Sequence, residues 1–214
     1  MKKMLVLVLL VISAVTASAQ MMTSRTLMKR ESPTLWYVRA GFALNSLTGM
    51  DSDDKEYLGT AIKAGFELDF GFNKPIGKSG TYWGMELGIG NRGGKITQKD
   101  TDNATSYNTW SLNYSPITFG YKYSVTDDIK LDIHLGAYAL VDLSRKAKNS
   151  DGHECDADLE FTNRYDAGIQ VGLGAWYKRF NLDFMYRHGF VGFVSMPYNN
   201  LNSSAFLIRL GYSF

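Results

Sequence analysis

The chain has 214 residues, with 21 glycines, 13 tyrosines and 12 phenylalanines but only 4 prolines. This composition is typical of strands, and the mean hydropathy of −0.18 excludes a helical membrane bundle. A barrel that crosses a membrane with strands is compatible with it, because outward apolar residues then alternate with inward polar ones. Removing Lys2 and Lys3 from the 23 basic residues leaves 21, which equals the 21 acidic residues. With no net positive charge, the chain is not expected to bind nucleic acid.

The first segment has the pattern of an export signal. Lys2 and Lys3 precede an apolar run over residues 4–15, and Ala17-Ser18-Ala19 supplies the small-residue cleavage pattern. We therefore predict a signal peptide at residues 1–19, which is too short to span a bilayer as a helix. Residues 20–34 are polar and without period, which predicts a flexible periplasmic tail, and residues 35–214 are predicted to form the barrel domain.

Eight stretches alternate apolar with polar or glycine residues, the period of a strand. They are predicted at residues 35–45, 57–72, 81–92, 108–123, 128–143, 165–177, 180–190 and 204–214. Residues 165–190 form the clearest pair, a hairpin around a turn at Lys178 and Arg179. Within residues 108–123 the alternation changes phase at Pro116, which predicts a bulge.

The connections alternate in length along the chain. Long polar loops are predicted at residues 46–56, 93–107, 144–160 and 191–202, and short turns at residues 73–80, 124–127 and 178–179. Long loops at one rim and short turns at the other are typical of outer-membrane barrels. We therefore predict an all-β fold, an eight-stranded antiparallel up-and-down transmembrane β-barrel with both termini at the short-turn rim.

The alternative is a soluble, lipocalin-like barrel with the apolar face inside. Against it, most strands reach the roughly 9 to 11 residues needed to cross a bilayer, and glycine is concentrated on the charged face, where it suits a narrow interior. Aromatic residues also occur near the ends of the apolar face, as in the interfacial girdles of membrane barrels: Trp36, Trp83, Tyr177, Tyr212 and Phe214.

Charged residues on the inward face need partners in a low-dielectric interior. Counted from the short-turn rim, six of them are predicted at similar heights and in one ion network: Arg39, Glu67, Glu86, Asp132, Asp183 and Arg209. Arg39 is expected beside Glu67, and Asp183 beside Arg209. Such a network predicts an interior plugged by side chains.

Three stretches resemble a known group of proteins. Residues 115–123 (SPITFGYKY), residues 166–177 (DAGIQVGLGAWY) and residues 207–214 (LIRLGYSF), together with the export signal, are similar to the PorT-like outer-membrane β-barrel domain family, and more loosely to small barrels of the OmpA/OmpX type. The resemblance covers the chain from about Leu35. It implies an outer-membrane location in a Gram-negative bacterium, and a role for Phe214 in the signal read by the barrel-assembly machinery.

Several motifs contain residue types that are found in chemical sites. Residues 88–93 match the glycine spacing of dinucleotide sites, but no helix pattern follows, so inward glycines of a strand are expected. The cluster His153, Glu154, Cys155 and Asp156 and the aspartates at positions 51, 53, 54, 100 and 102 contain metal-ligand types, yet solvated loops are the favoured interpretation. His134 and His188 have no serine and carboxylate at matching heights, so no catalytic residue, metal or cofactor is expected.

The expected function is a structural or surface-interaction role through the extracellular loops, and not an enzyme. The alternative is a small porin-like diffusion channel, and a lipid A-modifying enzyme is a further one. The expected partners are outer-membrane lipid and lipopolysaccharide, the assembly machinery during insertion, and an unknown extracellular ligand.

Overall fold

The structure is a computed structural model that describes residues 34–49, 57–77, 79–98, 104–150, 153–156, 163–195 and 200–214. The predicted signal peptide, the predicted tail as far as residue 33, and the aspartates at positions 51, 53, 54, 100 and 102 lie outside the described residues. No helix in the described part of the chain is long and apolar enough to cross a membrane.

The described residues form strands almost throughout. They are β1 (Leu35–Thr48), β2 (Leu58–Ala61), β3 (Lys63–Pro75), β4 (Thr81–Gln98), β5 (Ala104–Ser124), β6 (Ile129–Lys148), β7 (Glu154–Asp156), β8 (Tyr165–Tyr177), β9 (Phe180–Ser195) and β10 (Asn200–Ser213). All pairings are antiparallel.

Eight of these strands form a closed ring. Each pairs with the next in the order β1, β3, β4, β5, β6, β8, β9, β10, and β10 returns to β1 over twelve residue pairs, from Tyr37 opposite Ser213 to Thr48 opposite Asn202. The short strands β2 and β7 lie outside the ring order and pair with the outer ends of β4 and β6. The predicted eight-stranded barrel is confirmed.

The apolar face of every ring strand points outward. On β10, Phe206, Ile208 and Leu210 are exposed, while Leu207 and Arg209 between them are completely buried. This is the reverse of a lipocalin, in which the aliphatic side chains would converge on a cavity. The soluble alternative is therefore excluded, and the outer wall matches a hydrocarbon environment.

The phase change at Pro116 is a bulge, as predicted. The pairing of β5 with β6 jumps from Tyr114 opposite Ala139 to Ile117 opposite Ala137, so the chain gains one residue on β5 there. A shift on the other side of β5, between Gly84 and Glu86 of β4, accompanies it. Because of the bulge, Trp110 and Leu112 before it and Phe119 after it all face outward.

Four predicted loops are shorter than expected, because the strands continue into them. β4 extends to Gln98 and β5 begins at Ala104, and β6 continues to Lys148, where β7 pairs with it. Strands β9 and β10 likewise extend to Ser195 and Asn200, which are opposite each other. At about 3.4 Å per residue, the 21 residues of β5 are about 70 Å long, roughly twice what a tilted crossing needs. The polar outer parts of β4, β5 and β6, with β2 and β7, therefore form an outer ribbon beyond the membrane.

The outward orientation predicts a depth-dependent response to charge. Leu135 lies on the outer wall six residues along β6 and is 62% exposed, whereas Leu131 lies near the short-turn rim. We expect Leu135→Arg to lower the free energy of unfolding in lipid vesicles by about 2 to 4 kcal/mol, and Leu131→Arg by about 0 to 1 kcal/mol. Urea unfolding of both variants measures this, and equal effects at the two depths would contradict the membrane-embedded wall.

Candidate functional site

Large inward side chains lie beside glycines of neighbouring strands. Asp69 is paired with Gly88, and a Cβ atom added to Gly88 would overlap the Asp69 carboxylate. His134 is paired with Gly120 on one side and with Gly172 on the other. The same relation holds for other pairs across the ring: Arg39 with Gly211, Arg209 with Gly41, Glu86 with Gly71, Tyr138 with Gly168 and Asp183 with Gly174.

Arg209 lies at the centre of the main ion network, which consists of Arg39, Arg187, Arg209, Glu67, Asp69, Glu86 and Asp183. Its side chain is completely buried. Nη2 lies 2.6 Å from Asp183 Oδ2 and Nη1 lies 2.9 Å from Asp69 Oδ2. Glu86 and Glu67 follow at 3.5 and 4.0 Å from Nη1. The expected proximity of Asp183 and Arg209 is present on β9 and β10, which are neighbours in the ring.

Arg39 reaches a different partner from the one expected. Its Nη1 donates to Glu86 Oε1 at 2.5 Å and its Nε donates to Asn181 Oδ1 at 2.9 Å. Its guanidinium also lies 4.3 Å from the centre of the Tyr37 ring. The expected pair of Arg39 with Glu67 is not formed.

Glu67 instead binds Arg187, which is not one of the six predicted network residues. Arg187 Nη1 and Nη2 donate to the two Glu67 carboxylate oxygens at 2.9 and 3.0 Å. The difference arises because β3 ends at Pro75, three residues beyond the predicted end. Glu67 therefore lies higher above the short-turn rim than expected, and Asp69 occupies the level assigned to it.

Asp132 is close to the network but makes no ion pair with arginine in the described part of the chain. It accepts hydrogen bonds from the Tyr82 hydroxyl at 2.8 Å and from Trp176 Nε1 at 3.0 Å. Lys122 Nζ lies over both rings, 4.7 Å from the centre of Tyr82 and 4.3 Å from that of Trp176. Together these four residues form the first filled layer above the short-turn rim.

His134 lies between two carboxylates. Its Nε2 is 3.5 Å from Asp183 Oδ1 and its Nδ1 is 3.9 Å from Asp132 Oδ1. Neither ring nitrogen has a hydrogen-bond partner among the described residues. His134 thus joins the aromatic layer around Asp132 to the main ion network.

A second charge cluster lies farther from the short-turn rim. Arg92 forms a bidentate pair with Asp142, with both N–O distances 2.8 Å, and reaches Asp166 at 3.3 Å. Arg145 also contacts Asp142, at 2.9 Å. The cluster was not predicted, because Arg92 is the last residue of one predicted strand and Arg145 lies two residues beyond the end of another. The only available signal was the continued alternation of polar residues beyond those ends.

Apolar side chains cover the second cluster at the outer end. Leu47, Phe193 and Leu201 are buried together, with Leu58, Ile96 and Tyr107 against them. The Phe193 ring centre is 4.8 Å from the Arg92 guanidinium. Between the two charge clusters a cavity of about 20 Å³, lined by Glu67, Arg92 and Arg187 among others, has room for about one water molecule.

The five predicted interfacial aromatics all lie on the outer wall near the short-turn rim. Trp36 stacks on Phe70 with ring centres 5.5 Å apart, and Phe70 in turn lies 6.2 Å from Phe214. Contacts continue from Trp83 to Phe72 and from Tyr212 to Phe180, while Tyr177 lies beside Lys178.

The other motifs form no chemical site in the described part of the chain. Gly88 and Gly90 are inward residues of β4, opposite Asp69 and Glu67. His188 lies between the rings of Tyr186 and Phe190 on the outer wall, apart from His134. Cys155 belongs to β7 and pairs with Ala147 through the backbone. No group of three or more described His, Cys, Asp or Glu residues could hold a metal ion.

Comparison with known proteins gives one family and several distant structures. The family model described as outer membrane protein beta-barrel domain matches residues 19–194. Among solved structures, Ail of Yersinia pestis has 14% identity and a TM-score of 0.41, covering 86% of this chain and 100% of that one. Neisserial surface protein A has 14% identity and a TM-score of 0.46 with the same coverage. The outer membrane enzyme PagL has 11% identity and a TM-score of 0.44, covering 79% of this chain and 98% of its own. No curated protein sequence matches the chain.

The main ion network predicts that removing one buried partner is costly. Arg209→Met leaves Asp183 and Asp69 without their closest cation, so we expect the free energy of unfolding to fall by about 3 to 5 kcal/mol. The control is Asp128→Asn, which removes a pair with Lys178 at 3.7 Å whose side chains are both more than half exposed. That change is expected to cost less than about 1 kcal/mol. Urea unfolding in detergent measures both, and a similar loss in the two variants would contradict a dominant role for Arg209.

Proposed function

Because the chain belongs to the outer membrane protein β-barrel domain family, we propose that it is a closed barrel that anchors the outer ribbon at the cell surface for contact with other molecules. The alternative of a diffusion channel is rejected in this proposal. Within the family, we also propose membership of the PorT-like group, on the three sequence stretches that resemble it.

The observation that carries the proposal is the filled interior. From the short-turn rim outward, the layers are the aromatic residues around Asp132, the main ion network, the Arg92 cluster and the apolar cap of Leu47, Phe193 and Leu201. An eight-stranded barrel has an interior just wide enough for side chains, so each layer closes the section that it occupies. The cavity between two of the layers, at about 20 Å³, has room for about one water molecule.

A surface role is supported by the length of the strands. Crossing the membrane takes roughly 9 to 11 residues per strand, while β4, β5 and β6 have 18, 21 and 20. On the outer ribbon Lys95, Ser106 and Lys148 form one cross-strand row, and both lysines are exposed. A polar sheet beyond the bilayer can contact a partner, whereas anchoring in the membrane does not require this additional strand length.

The proposal assigns no catalytic role. The ring nitrogens of His134 face Asp183 of the main ion network and Asp132 of the aromatic layer, and no serine hydroxyl of a described residue bonds them. We also propose that the chain is exported through a cleaved signal peptide, is inserted by the assembly machinery through Phe214, and contacts lipopolysaccharide. In support of insertion through Phe214, this residue lies on the outer wall, is 62% exposed, and donates its amide to the Trp36 carbonyl.

Conductance tests the closed interior. The purified chain, reconstituted into a planar lipid bilayer, is expected to give no stable single-channel conductance, because buried side chains fill each of the four described layers. A porin reconstituted in the same way is the positive control for insertion. A reproducible conductance step from the wild-type chain would replace the proposal with the channel.

Shortening the outer ribbon tests the surface role. Replacing residues 95–106 with Asn-Gly removes Lys95 and Ser106 from the cross-strand row and makes the opposed residues Gly94 and Tyr107 the last pair before a two-residue turn. The barrel is expected to insert normally, seen as a band shift between unheated and heated samples on a gel, while attachment of the cells to coated surfaces decreases. A control with residues 99–103 shuffled keeps the ribbon. Unchanged attachment by the shortened chain would leave the barrel with a structural role alone.

A further inference from the structure

His134 is an inward side chain of β6 held between two carboxylates. Its Nε2 lies 3.5 Å from Asp183 Oδ1 and its Nδ1 lies 3.9 Å from Asp132 Oδ1, and all three side chains are at most 2% exposed. Asp183 Oδ1 and both ring nitrogens have no hydrogen-bond partner among the described residues. A Cβ atom added to Gly172 on β8 would overlap Nε2, so the ring fills the space over this glycine.

A neutral imidazole does not suit this position. It has a proton on one ring nitrogen and a lone pair on the other. In either tautomer, a bare nitrogen would therefore face the carboxylate of Asp132 or of Asp183. The imidazolium carries a proton on both nitrogens and is attracted to both carboxylates.

The charges in the two layers around His134 do not balance without it. The main ion network has three arginines and four carboxylates, and the aromatic layer has Lys122 and Asp132, so the described residues supply four cations and five anions. The Arg92 cluster is balanced by itself, with two arginines and two aspartates. A proton on His134 makes the two layers neutral as well, and buried charge is costly unless it is compensated.

The charged and titratable groups around His134 come from several strands. Three carboxylates interact with it: Asp132 on its own strand, Asp183 on β9 and Glu86 on β4. The cations that act on the same carboxylates are Lys122 on β5, Arg39 on β1 and Arg209 on β10. The hydroxyls of Tyr37 and Tyr82 donate to Glu86 and Asp132. Among the described ion pairs, only those of His134 involve both Asp132 and Asp183.

We propose that His134 is a buried imidazolium that ties the aromatic layer to the main ion network, and that its proton is a pH-sensitive lock between these two layers. Loss of the proton leaves a bare nitrogen facing a carboxylate and one uncompensated negative charge in the interior. The stability that His134 contributes is therefore present while the ring is protonated and is lost as the pH rises. The inference goes beyond the surface role, since the lock lies in the interior and needs no partner at the outer ribbon.

Nitrogen-15 NMR of the full chain in detergent, with labelled histidine rings, tests the charge. The chain has three histidines, so His153→Gln and His188→Gln together assign the third signal without a change in the interior. At pH 7.5 a histidine side chain in water is mostly neutral, whereas both ring nitrogens of His134 are expected to carry protons. Asp132→Asn removes the excess negative charge, so in this variant one ring nitrogen is expected to lose its proton at the same pH.

Urea unfolding in detergent between pH 6 and pH 9 tests the lock. His134→Gln is expected to be less stable than the wild type at pH 6, and the ratio of the two unfolding equilibrium constants is expected to shrink by about tenfold or more by pH 9. His188→Gln is the matched control, because this histidine lies on the outer wall between Tyr186 and Phe190. Its ratio to the wild type is expected to change much less. The band shift on heating shows that each variant is folded.

Three results would overturn the proposal. The first is a single protonated ring nitrogen of His134 in the wild type at pH 7.5, which would place the balancing proton on a carboxylate. The second is a doubly protonated ring in a folded Asp132→Asn variant, which would contradict the charge balance. The third is an equal pH dependence of His134→Gln and His188→Gln. If His134→Gln does not fold, the NMR of the wild type and of Asp132→Asn still decides the charge.

Discussion

Space inside an eight-stranded ring is the constraint on which the rest of this structure depends. The interior is only wide enough for side chains, so a large residue fits where the neighbouring strand contributes a glycine. Asp69 over Gly88 and His134 over Gly172 show the relation most directly, because an added Cβ would overlap the larger side chain in each case. Glycine alternating with charged residues suggests a low strand propensity in the sequence. In this barrel it is the pattern of a tightly packed core.

The same constraint explains why the core is polar and yet filled by side chains. The outer wall takes the apolar side chains, so the inward positions are left for residues that must find partners among themselves. Arg209 contacts Asp183 and Asp69, and Arg187 forms a bidentate pair with Glu67. Such clusters cost desolvation energy, which only good geometry recovers, and they fix the arrangement of the strands because a register shift of one residue would turn every charge toward lipid.

The sequence predicted the fold more completely than the site, and the reason is geometric. The alternation of apolar with polar residues, and of long with short connections, is visible along the chain itself. The eight strands, their outward apolar face and the bulge at Pro116 could therefore be derived from the residues. Partners in the interior depend on strand ends and on the stagger between strands. Because β3 continues to Pro75, Glu67 lies opposite Arg187 rather than Arg39, and Asp69 contacts Arg209. The Arg92 cluster was missed because Arg92, Asp142 and Asp166 lie at or within one residue of the predicted strand ends, where the stagger between strands decides which side chains meet.

The two ends of the barrel are closed by different chemistry, and this difference suits the two sides of the membrane. At the short-turn rim the interior is closed by Lys122, whose Nζ lies over the rings of Tyr82 and Trp176. These three side chains carry polar groups that tolerate contact with water. At the outer end, Phe193 with Leu47 and Leu201 forms an apolar cap continuous with the inner face of the outer ribbon, through Ile96 and Tyr107. Because the cap packs against the ribbon, the ribbon is held by the barrel core and not only by its own strand pairing. In the proposed surface role, the ribbon would therefore offer a partner a surface that is already held in place, which lowers the conformational entropy lost on binding.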